Sequence, residues 1–262
     1  DRGIYKTTDG GETWEKVLEV SEHTGFNEIH LDPRNPDILY ATAHQRRRHV
    51  WTYISGGPES AIYKSEDGGA HWKKLKSGLP SGDVGRIGMA VSPADPDVLY
   101  AIIEAAYDAG GFFRSEDRGE SWSKMNDLST SGNYYQELVP HPTDVQTVYV
   151  MNTYGYVTHD GGKNFENTGE RNKHVDNHCL WIDPSGDDYL LAGCDGGIYE
   201  SFDGASTWKY HPNLPVTQFY KVSLDRAEPF YNVYGGTQDN FSMGGPSQTI
   251  NDVGIPNEDW FL

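Results

Sequence analysis

An eight-residue string recurs along this chain and limits its fold more than any other feature. The copies are TTDGGETW, SEDGGAHW, SEDRGESW, THDGGKNF and SFDGASTW. Their aspartates are separated by intervals of 58, 50, 43 and 43 residues and are Asp9, Asp67, Asp117, Asp160 and Asp203. Because the string persists while the interval varies, we infer a constant structural unit that accepts loop insertions.

A second pattern recurs between the copies and supplies further strands. EIHLDPRNPDILYAT, GMAVSPADPDVLYAI, ELVPHPTDVQTVYVM and LWIDPSGDDYLLAG each predict a strand, a turn and a second strand. A related stretch follows near Lys221. Each unit of about 40 to 50 residues then holds four antiparallel strands, a to d, with the string in the c–d turn, as in a β-propeller blade. The sequence therefore predicts an all-β propeller.

The strand pattern predicts one propeller region over residues 1–262. Its parts are a half-blade at 1–18, full blades at about 26–75, 84–125, 134–168 and 176–210, a half-blade at 216–237 and a tail at 238–262. The two half-blades can pair to close a five-bladed ring. The alternative, which we favour, is an excerpt of a larger propeller, because an open arc would leave unpaired strand edges.

The string resembles the Asp-box, or bacterial neuraminidase repeat (BNR), whose pattern is [ST]-x-D-x-G-x-[ST]-W. This chain departs from the pattern at His71, Asn164, Phe165 and Ala205. RRRHVWTYISGGPESAIYKSEDGG and QFYKVSLDRAEPFYNVYGGTQDN also resemble large bacterial sortilin-like (Vps10-like) propeller proteins, which are often labelled glycosyl hydrolases. The resemblance covers nearly the whole chain and implies the fold more than an activity. A sialidase is disfavoured, because RIG stands at Arg86 where sialidases usually have Arg-Ile-Pro.

Charge and hydropathy limit the classes of partner and the cellular locations that we expect. The 39 acidic and 21 basic residues give a net charge of -18, which repels phosphate backbones, so we expect no nucleic-acid partner. No stretch approaches the roughly 18 apolar residues of a membrane-spanning helix. We expect a secreted, periplasmic or cell-surface protein, and the sequence does not indicate an oligomeric state.

The two cysteines flank a predicted hairpin, CLWIDPSGDDYLLAGC. The hairpin places Cys179 and Cys194 roughly opposite each other, so a cross-strand disulfide is one alternative in an oxidising compartment. Two buried free thiols are the other alternative.

Strand order assigns the loops to two faces. The boxes and the a–b turns share one face, where the Asp accepts backbone hydrogen bonds, the Gly supplies a positive φ and the Trp packs on strands. This is scaffold chemistry. The b–c and d–a loops share the other face, around the mouth of the central channel, where we expect a ligand.

The longest insertion, HQRRRHVWTYISGGPES, is the first b–c loop and forms a basic, aromatic island in an acidic chain. Arg can bind carboxylates or phosphates, and Trp and Tyr offer flat surfaces for sugars or peptide side chains. The predicted ligand-binding residues are Arg46, Arg47, Arg48, Trp51, Tyr53, Tyr134, Tyr135 and Tyr154. In the alternative interpretation, the arginines pair internally with the chain's many acids.

Further polar residues are expected at the same mouth. His174, Asp176 and His178 would share one face of a strand and could hold a divalent metal, although a hydrogen-bonded channel lining is the alternative. A glycosidase needs two carboxylates roughly 5–10 Å apart, one of them with a raised pKa. The candidates are Glu104, Asp176, Asp195 and Asp239.

Three functions fit these observations. The sequence favours a binding module that holds a peptide, protein or glycan at the channel mouth, because no catalytic motif is complete. The alternatives are a glycan-cleaving hydrolase that uses a carboxylate pair at the same mouth and a structural part of a surface assembly.

Overall fold

A computed structural model describes residues 1–185, 188–212 and 219–262 of the chain. These residues form six antiparallel β-sheets and one short 3-10 helix, Asn257–Asp259, and they contain no α-helix. The all-β fold predicted from the sequence is confirmed. In the described part of the chain, no helix is long and apolar enough to cross a membrane.

The sheets follow one another along the chain, and four of them contain a four-stranded antiparallel arrangement. The first sheet has two strands, β1 (Ile4–Lys6) and β2 (Glu15–Leu18). The second contains β3 (Thr24–Asp32), β4 (Asn35–His49), β5 (Thr52–Ser55), β6 (Ala61–Ser65) and β7 (Lys73–Lys74). The third contains β8 (Val84–Val91), β9 (Leu99–Ala105), β10 (Gly111–Ser115) and β11 (Ser123–Asn126).

The remaining sheets continue the same order. The fourth contains β12 (Leu138–Pro140), β13 (Val148–Val150), β14 (Tyr156–Thr158) and β15 (Glu166–Asn167). The fifth contains β16 (Asn177–Ile182), β17 (Leu190–Cys194), β18 (Gly197–Ser201) and β19 (Lys209–Tyr210). The sixth contains β20 (Phe219–Leu224), β21 (Asn232–Thr237) and β22 (Ser242–Pro246).

The sixth sheet differs from the expected half-blade. Residues 216–218 of that prediction lie outside the described residues, and a third strand, β22, forms within the segment expected to be a tail. The sequence of β22, SMGGP, has neither a following box nor an alternation of apolar and polar residues. Its pairing with β21 is therefore a tertiary property without a local sequence signal.

The apolar core lies between successive sheets. Neighbouring residues of a strand point to opposite faces, so a strand between two sheets buries both of its faces. Leu99 and Tyr100 of β9 accordingly enter two different clusters, as do Val148 and Tyr149 of β13. The three clusters are centred on Tyr40 and Leu99, on Tyr100 and Val148, and on Tyr149 and Leu190. This face-to-face stacking is the packing of propeller blades.

Each Asp-box closes its loop with the same set of hydrogen bonds. The hydroxyl at the first position donates to the Asp carboxylate at 2.8–2.9 Å and accepts the amide of the fifth residue at 2.9–3.0 Å. The carboxylate also accepts the amide of the seventh residue at 2.8–3.0 Å. His71 and Asn164 preserve the remaining side-chain contact, since Nδ1 and Nδ2 lie 2.6 and 2.7 Å from the carboxylate. The box carboxylates therefore bond within their own loops.

The boxes are also tied to the a–b turns. In four boxes the amide of the fourth residue donates to a turn carbonyl at 2.9–3.1 Å, and the accepting residues are Asp37, Asp97, Gln146 and Asp188. These bonds place the boxes and the a–b turns on one side of the sheets. The b–c and d–a loops consequently lie on the opposite side, where the candidate site is found.

Candidate functional site

The first b–c insertion forms a hairpin that extends beyond its sheet. Strand β4 continues past the sheet and pairs with β5, with Arg46 opposite Ser55 and Arg48 opposite Tyr53. Trp51 at the tip is 81% exposed. We call residues 46–55 the arginine hairpin.

The two faces of the arginine hairpin differ in their contacts. The guanidinium carbons of Arg46 and Arg48 lie 5.5 and 5.9 Å from the centre of the Tyr53 ring. Arg47 points to the other face, where its Nη2 lies 3.7 Å from Glu22 Oε2. Alternation along the strand therefore separates one acid-paired arginine from two that adjoin an aromatic ring.

A short loop, residues 131–136, connects the arginine hairpin to a group of carboxylates. Near one end of this connecting loop, Asn133 accepts a hydrogen bond from the Tyr53 hydroxyl, and further along the Tyr135 hydroxyl donates to Asp176. The loop also lies against β8, because a Cβ on Gly88 would be 1.5 Å from the Gln136 carbonyl oxygen. It thus contacts the second sheet at Tyr53, the third sheet at Gly88 and the segment before β16 at Asp176.

The carboxylates Asp176, Asp195 and Asp239 form what we call the carboxylate cluster. The His178 ring stacks on Tyr135, with centroids 5.2 Å apart, and its Nε2 lies 3.5 Å from Asp195 Oδ1. Burial raises the pKa of Asp195, and a hydrogen bond with the Asp239 side chain raises it further. A neighbouring carboxylate disfavours the charged form of Asp195.

One surface, which we call the mouth surface, is formed by the connecting loop, the carboxylate cluster, the Arg46, Arg48 and Tyr53 side chains and the hairpin tip at Trp51. Arg47 lies on the other face of the hairpin and does not belong to this surface.

Tyr134 and Tyr154, predicted to bind a ligand, are 70% and 50% exposed. Tyr135 is only 8% exposed and stacks on His178, so it supports the carboxylate cluster and presents no open ring face. The predicted aromatic residues thus divide into exposed and supporting side chains.

Glu104 lies apart from the other predicted carboxylates. Its Oε2 accepts the amide of Arg86 at 3.4 Å, and a Cβ on Gly132 would be 2.2 Å from the same oxygen. Gly132 belongs to the connecting loop, so Glu104 adjoins the hairpin side of the mouth surface. The four catalytic candidates are therefore not one group, and three of them form the carboxylate cluster.

The backbone conformation does not support the divalent-metal site that the sequence predicted at His174, Asp176 and His178. Asp176 has a φ of 63°, in the left-handed region, so the segment is not extended and its alternate side chains do not share a face. His174 Nδ1 lies 2.9 Å from the Val175 carbonyl oxygen, while His178 faces Asp195. In residues 1–185, 188–212 and 219–262, no group of three His, Cys, Asp or Glu side chains could hold a metal ion.

The cysteine alternatives are resolved in this structure in favour of free thiols. Cys179 pairs with Gly193, and Cys194 pairs with Asn177, so the two cysteines are not directly opposite. Cys179 is exposed, contrary to the expectation of a buried thiol, while burial raises the pKa of Cys194.

Sequence reasoning missed two residues of the mouth surface that position others. Asn133 fixes the Tyr53 hydroxyl, and Thr153 donates to the Tyr135 hydroxyl at 3.2 Å. The signal available was the turn-rich stretch SGNYYQ, which marks a loop with two aromatic residues. The partners come from other sheets and have no local signal.

Comparisons with known proteins agree with this architecture. The family model described as sortilin, neurotensin receptor 3 (Sortilin-Vps10) matches residues 110–229, and the BNR/Asp-box repeat model matches residues 5–16. The resemblance to Asp-box and sortilin-like propellers predicted from the sequence is confirmed.

Among curated proteins, the chain is similar to xyloglucanases. It is 26% identical over 225 residues to xyloglucanase Xgh74A of Acetivibrio thermocellus, which covers 81% of this chain and 23% of that protein. It is 24% identical over 241 residues to a xyloglucanase of Hypocrea jecorina, which covers 86% of this chain and 25% of that protein. The chain spans about a quarter of the length of these curated relatives.

Solved structures support the fold. The GH74 xyloglucanase from Xanthomonas campestris matches with a TM-score of 0.60 at 18% identity, covering 95% of this chain and 43% of that one. The GH74 enzyme of Niastella koreensis also matches with a TM-score of 0.60 at 18% identity, covering 94% of this chain and 42% of that one.

Proposed function

We propose that the chain binds a glycan on the mouth surface. The observation that carries the proposal is the connecting loop, which contacts Tyr53 through Asn133 and Asp176 through Tyr135. One surface therefore offers aromatic rings and carboxylate acceptors side by side. Among the peptide, protein and glycan ligands considered from the sequence, the xyloglucanase relatives favour a glycan.

The chemistry of the mouth surface suits a sugar chain. The exposed rings of Tyr134 and Tyr154 can stack on the apolar faces of sugar rings, as can the open face of Trp51, whose other face stacks on His49. Carboxylate oxygens of Asp195 and Asp239 can accept hydrogen bonds from sugar hydroxyls, and such charge-assisted bonds are stronger than neutral ones. We propose a secreted, periplasmic or cell-surface location, where glycans are accessible.

Calorimetric titration with a xyloglucan oligosaccharide and with an oligogalacturonate tests this proposal. Trp51→Ala and Tyr134→Ala should each weaken binding of whichever glycan binds by about tenfold, since an aromatic contact is worth about 1 kcal/mol or more. Trp14→Ala is the matched control, because Trp14 is 60% exposed but belongs to a box on the opposite side.

The outcomes separate the alternatives. Binding that is weakened by Trp14→Ala and unaffected by Trp51→Ala would contradict a mouth-surface site. A failure of both oligosaccharides to bind the folded chain would overturn the glycan proposal and leave a peptide or protein ligand.

Glycoside hydrolysis is the second candidate function, and the raised pKa of Asp195 favours it. A carboxyl group that stays protonated can act as the general acid. Asp195 and Asp239 are within hydrogen-bonding reach, closer than the roughly 5–10 Å separation of a glycosidase pair. We therefore assign the second carboxylate to Asp176, beyond the stacked Tyr135 and His178 rings.

Reducing-sugar release from a xyloglucan oligosaccharide tests hydrolysis. Asp195→Asn and Asp176→Asn should each abolish turnover while the far-ultraviolet circular dichroism spectrum stays unchanged. If the substitutions change affinity alone, or if the native chain releases no sugar, the hydrolase candidate fails and the binding proposal stands.

A further inference from the structure

We infer that the glycan bound by the mouth surface carries a carboxylate, as a uronic acid residue does, and that Arg46 and Arg48 bind it. This inference rests on the proposed glycan-binding function and specifies the chemical class of the ligand. Arg46 and Arg48 share one face of the arginine hairpin, on either side of Tyr53.

The first observation is that Arg46 and Arg48 have no acid partner. Within the described residues, neither guanidinium has a carboxylate oxygen within 4.0 Å, whereas Arg47 between them contacts Glu22 at 3.7 Å. The chain has 39 acidic residues, so partners for surface arginines are abundant elsewhere. Arg34, for example, contacts both Asp32 and Asp97.

The second observation is that Tyr53 organises the two arginines. Its ring lies within 6 Å of both guanidinium carbons, a distance at which a cation is attracted to an aromatic face. Asn133 of the connecting loop accepts a hydrogen bond from the Tyr53 hydroxyl through its amide oxygen and so fixes the ring. Guanidinium groups restrained in this way lose less rotamer entropy when a ligand binds.

The third observation is a local concentration of positive charge in an acidic chain. The pKa of His44 is lowered to about 4, first by burial and then by the charges of Arg46, Arg86 and Arg2. Arg86 also has a buried Nε without a hydrogen-bond partner among the described residues. Arginines are therefore concentrated beside the arginine hairpin, with Glu104 as a neighbouring acid, although the chain as a whole has a net charge of -18.

A carboxylate fits these groups better than a neutral sugar does. Guanidinium can donate two parallel hydrogen bonds to the two oxygens of a carboxylate. Repulsion by the distant acids is screened beyond about 8 Å at physiological salt. The carboxylate cluster can accept hydrogen bonds from hydroxyl groups of the sugars that follow.

A titration with a paired control tests the inference. The native chain should bind an oligogalacturonate at least about tenfold more tightly than a xyloglucan oligosaccharide, which is neutral. Arg46→Ala and Arg48→Ala should each weaken binding of the oligogalacturonate about tenfold. Arg47→Ala, on the other face of the same hairpin, should leave it unchanged. Affinity for the acidic probe alone should fall with rising salt.

The result that would overturn the inference is equal or tighter binding of the neutral probe, with Arg48→Ala and Arg47→Ala indistinguishable. That result would leave the glycan-binding function intact. If neither probe binds, the proposed function fails as well, so the two failures are distinguishable. Thermal unfolding of each variant checks that the hairpin substitutions have not unfolded the protein.

Discussion

The box aspartates and Asp195 carry the same side chain in opposite surroundings. Hydrogen bonds with the seventh box residue, led by its backbone amide, lower the pKa of Asp67 and of Asp160 to about 2. Burial and the neighbouring Asp239 raise the pKa of Asp195. Backbone donors stabilise the charged form in the boxes, and a second acid destabilises it on the mouth surface.

The difference teaches which carboxylates remain available to a ligand. A box aspartate already accepts amide and side-chain hydrogen bonds within its loop, and these hydrogen bonds stabilise the c–d turn. Asp195 lacks backbone donors of this kind among the described residues and faces His178 and Asp239. The recurring box aspartate therefore maintains the scaffold, and Asp195, which does not recur in the other blades, belongs to the candidate site.

The largest expected effect is the loss of a box carboxylate. Asp117→Ala removes bonds from the Ser115 hydroxyl and from the amide and hydroxyl of Ser121, at 2.8, 2.9 and 2.5 Å. At about 1 kcal/mol for each bond, the free energy of unfolding should fall by roughly 2–3 kcal/mol, as measured by urea denaturation. Glycan affinity of the folded variant should not change.

Asp127→Ala is the control for this variant, because Asp127 is exposed and makes one ion pair with Lys124. It should change the free energy of unfolding by less than about 0.5 kcal/mol. Equal losses for Asp117→Ala and Asp127→Ala would contradict the scaffold role of the box.

Asp195→Asn should have the opposite effects to Asp117→Ala, with stability retained and glycan affinity reduced. Because the folded protein disfavours the Asp195 carboxylate, the free energy of unfolding at pH 7 should not fall. The affinity for the bound oligosaccharide should fall about tenfold, since a charge-assisted acceptor is lost. Loss of stability with unchanged affinity would place Asp195 with the box aspartates instead.

The pH dependence sharpens the same comparison. The depressed pKa values of the box aspartates mean that their stabilisation is present above about pH 4 and is lost as the pH falls through about 2 for Asp67 and Asp160. For Asp195 the sign is opposite, because ionisation above its raised pKa costs stability. The stability advantage of Asp195→Asn over the native chain should be near zero at pH 3 and grow towards pH 7.

Urea unfolding midpoints at pH 3, 5 and 7 measure this dependence. An advantage that is largest at pH 3 would mean that the pKa of Asp195 is depressed, and the contrast between the two regions would be lost.

The smallest effect concerns two tryptophans of the boxes. Trp122 Nε1 donates to the Gly119 carbonyl at 3.1 Å, whereas Trp208 Nε1 is buried without a partner in the described part of the chain. Trp122→Phe should therefore cost about 1 kcal/mol more than Trp208→Phe in the free energy of unfolding. A larger cost at Trp208 would mean that its indole nitrogen has a partner, such as a bound water.

The repeating parts of the fold were predictable, because each blade repeats the same local signals. The Asp spacing and the strand–turn–strand stretches predicted the order of sheets from β3 to β19. The strand β22 was not predictable, since its glycines carry no strand preference and its pairing with β21 depends on tertiary context.

The sequence could indicate which residues lie near the candidate site, but it could not predict how their side chains contact one another. Loop position placed Arg46, Asp195 and Asp239 on the correct side of the sheets. The stacking of Tyr135 on His178 joins segments that are distant in the sequence, so no local pattern reports it. Asp176 has a left-handed φ although it is not a glycine, so its residue type does not announce that conformation. The metal site was wrong for this reason, because it assumed an extended segment.

Amide hydrogen–deuterium exchange, with and without an oligogalacturonate or a xyloglucan oligosaccharide, tests the central claim most directly. The account predicts that a binding oligosaccharide slows exchange in residues 44–60, 131–136 and 174–178 and leaves the five Asp-boxes unchanged. Protection confined to the boxes, with no change in those three segments, would contradict the division of the molecule into a box scaffold and a ligand-binding mouth surface.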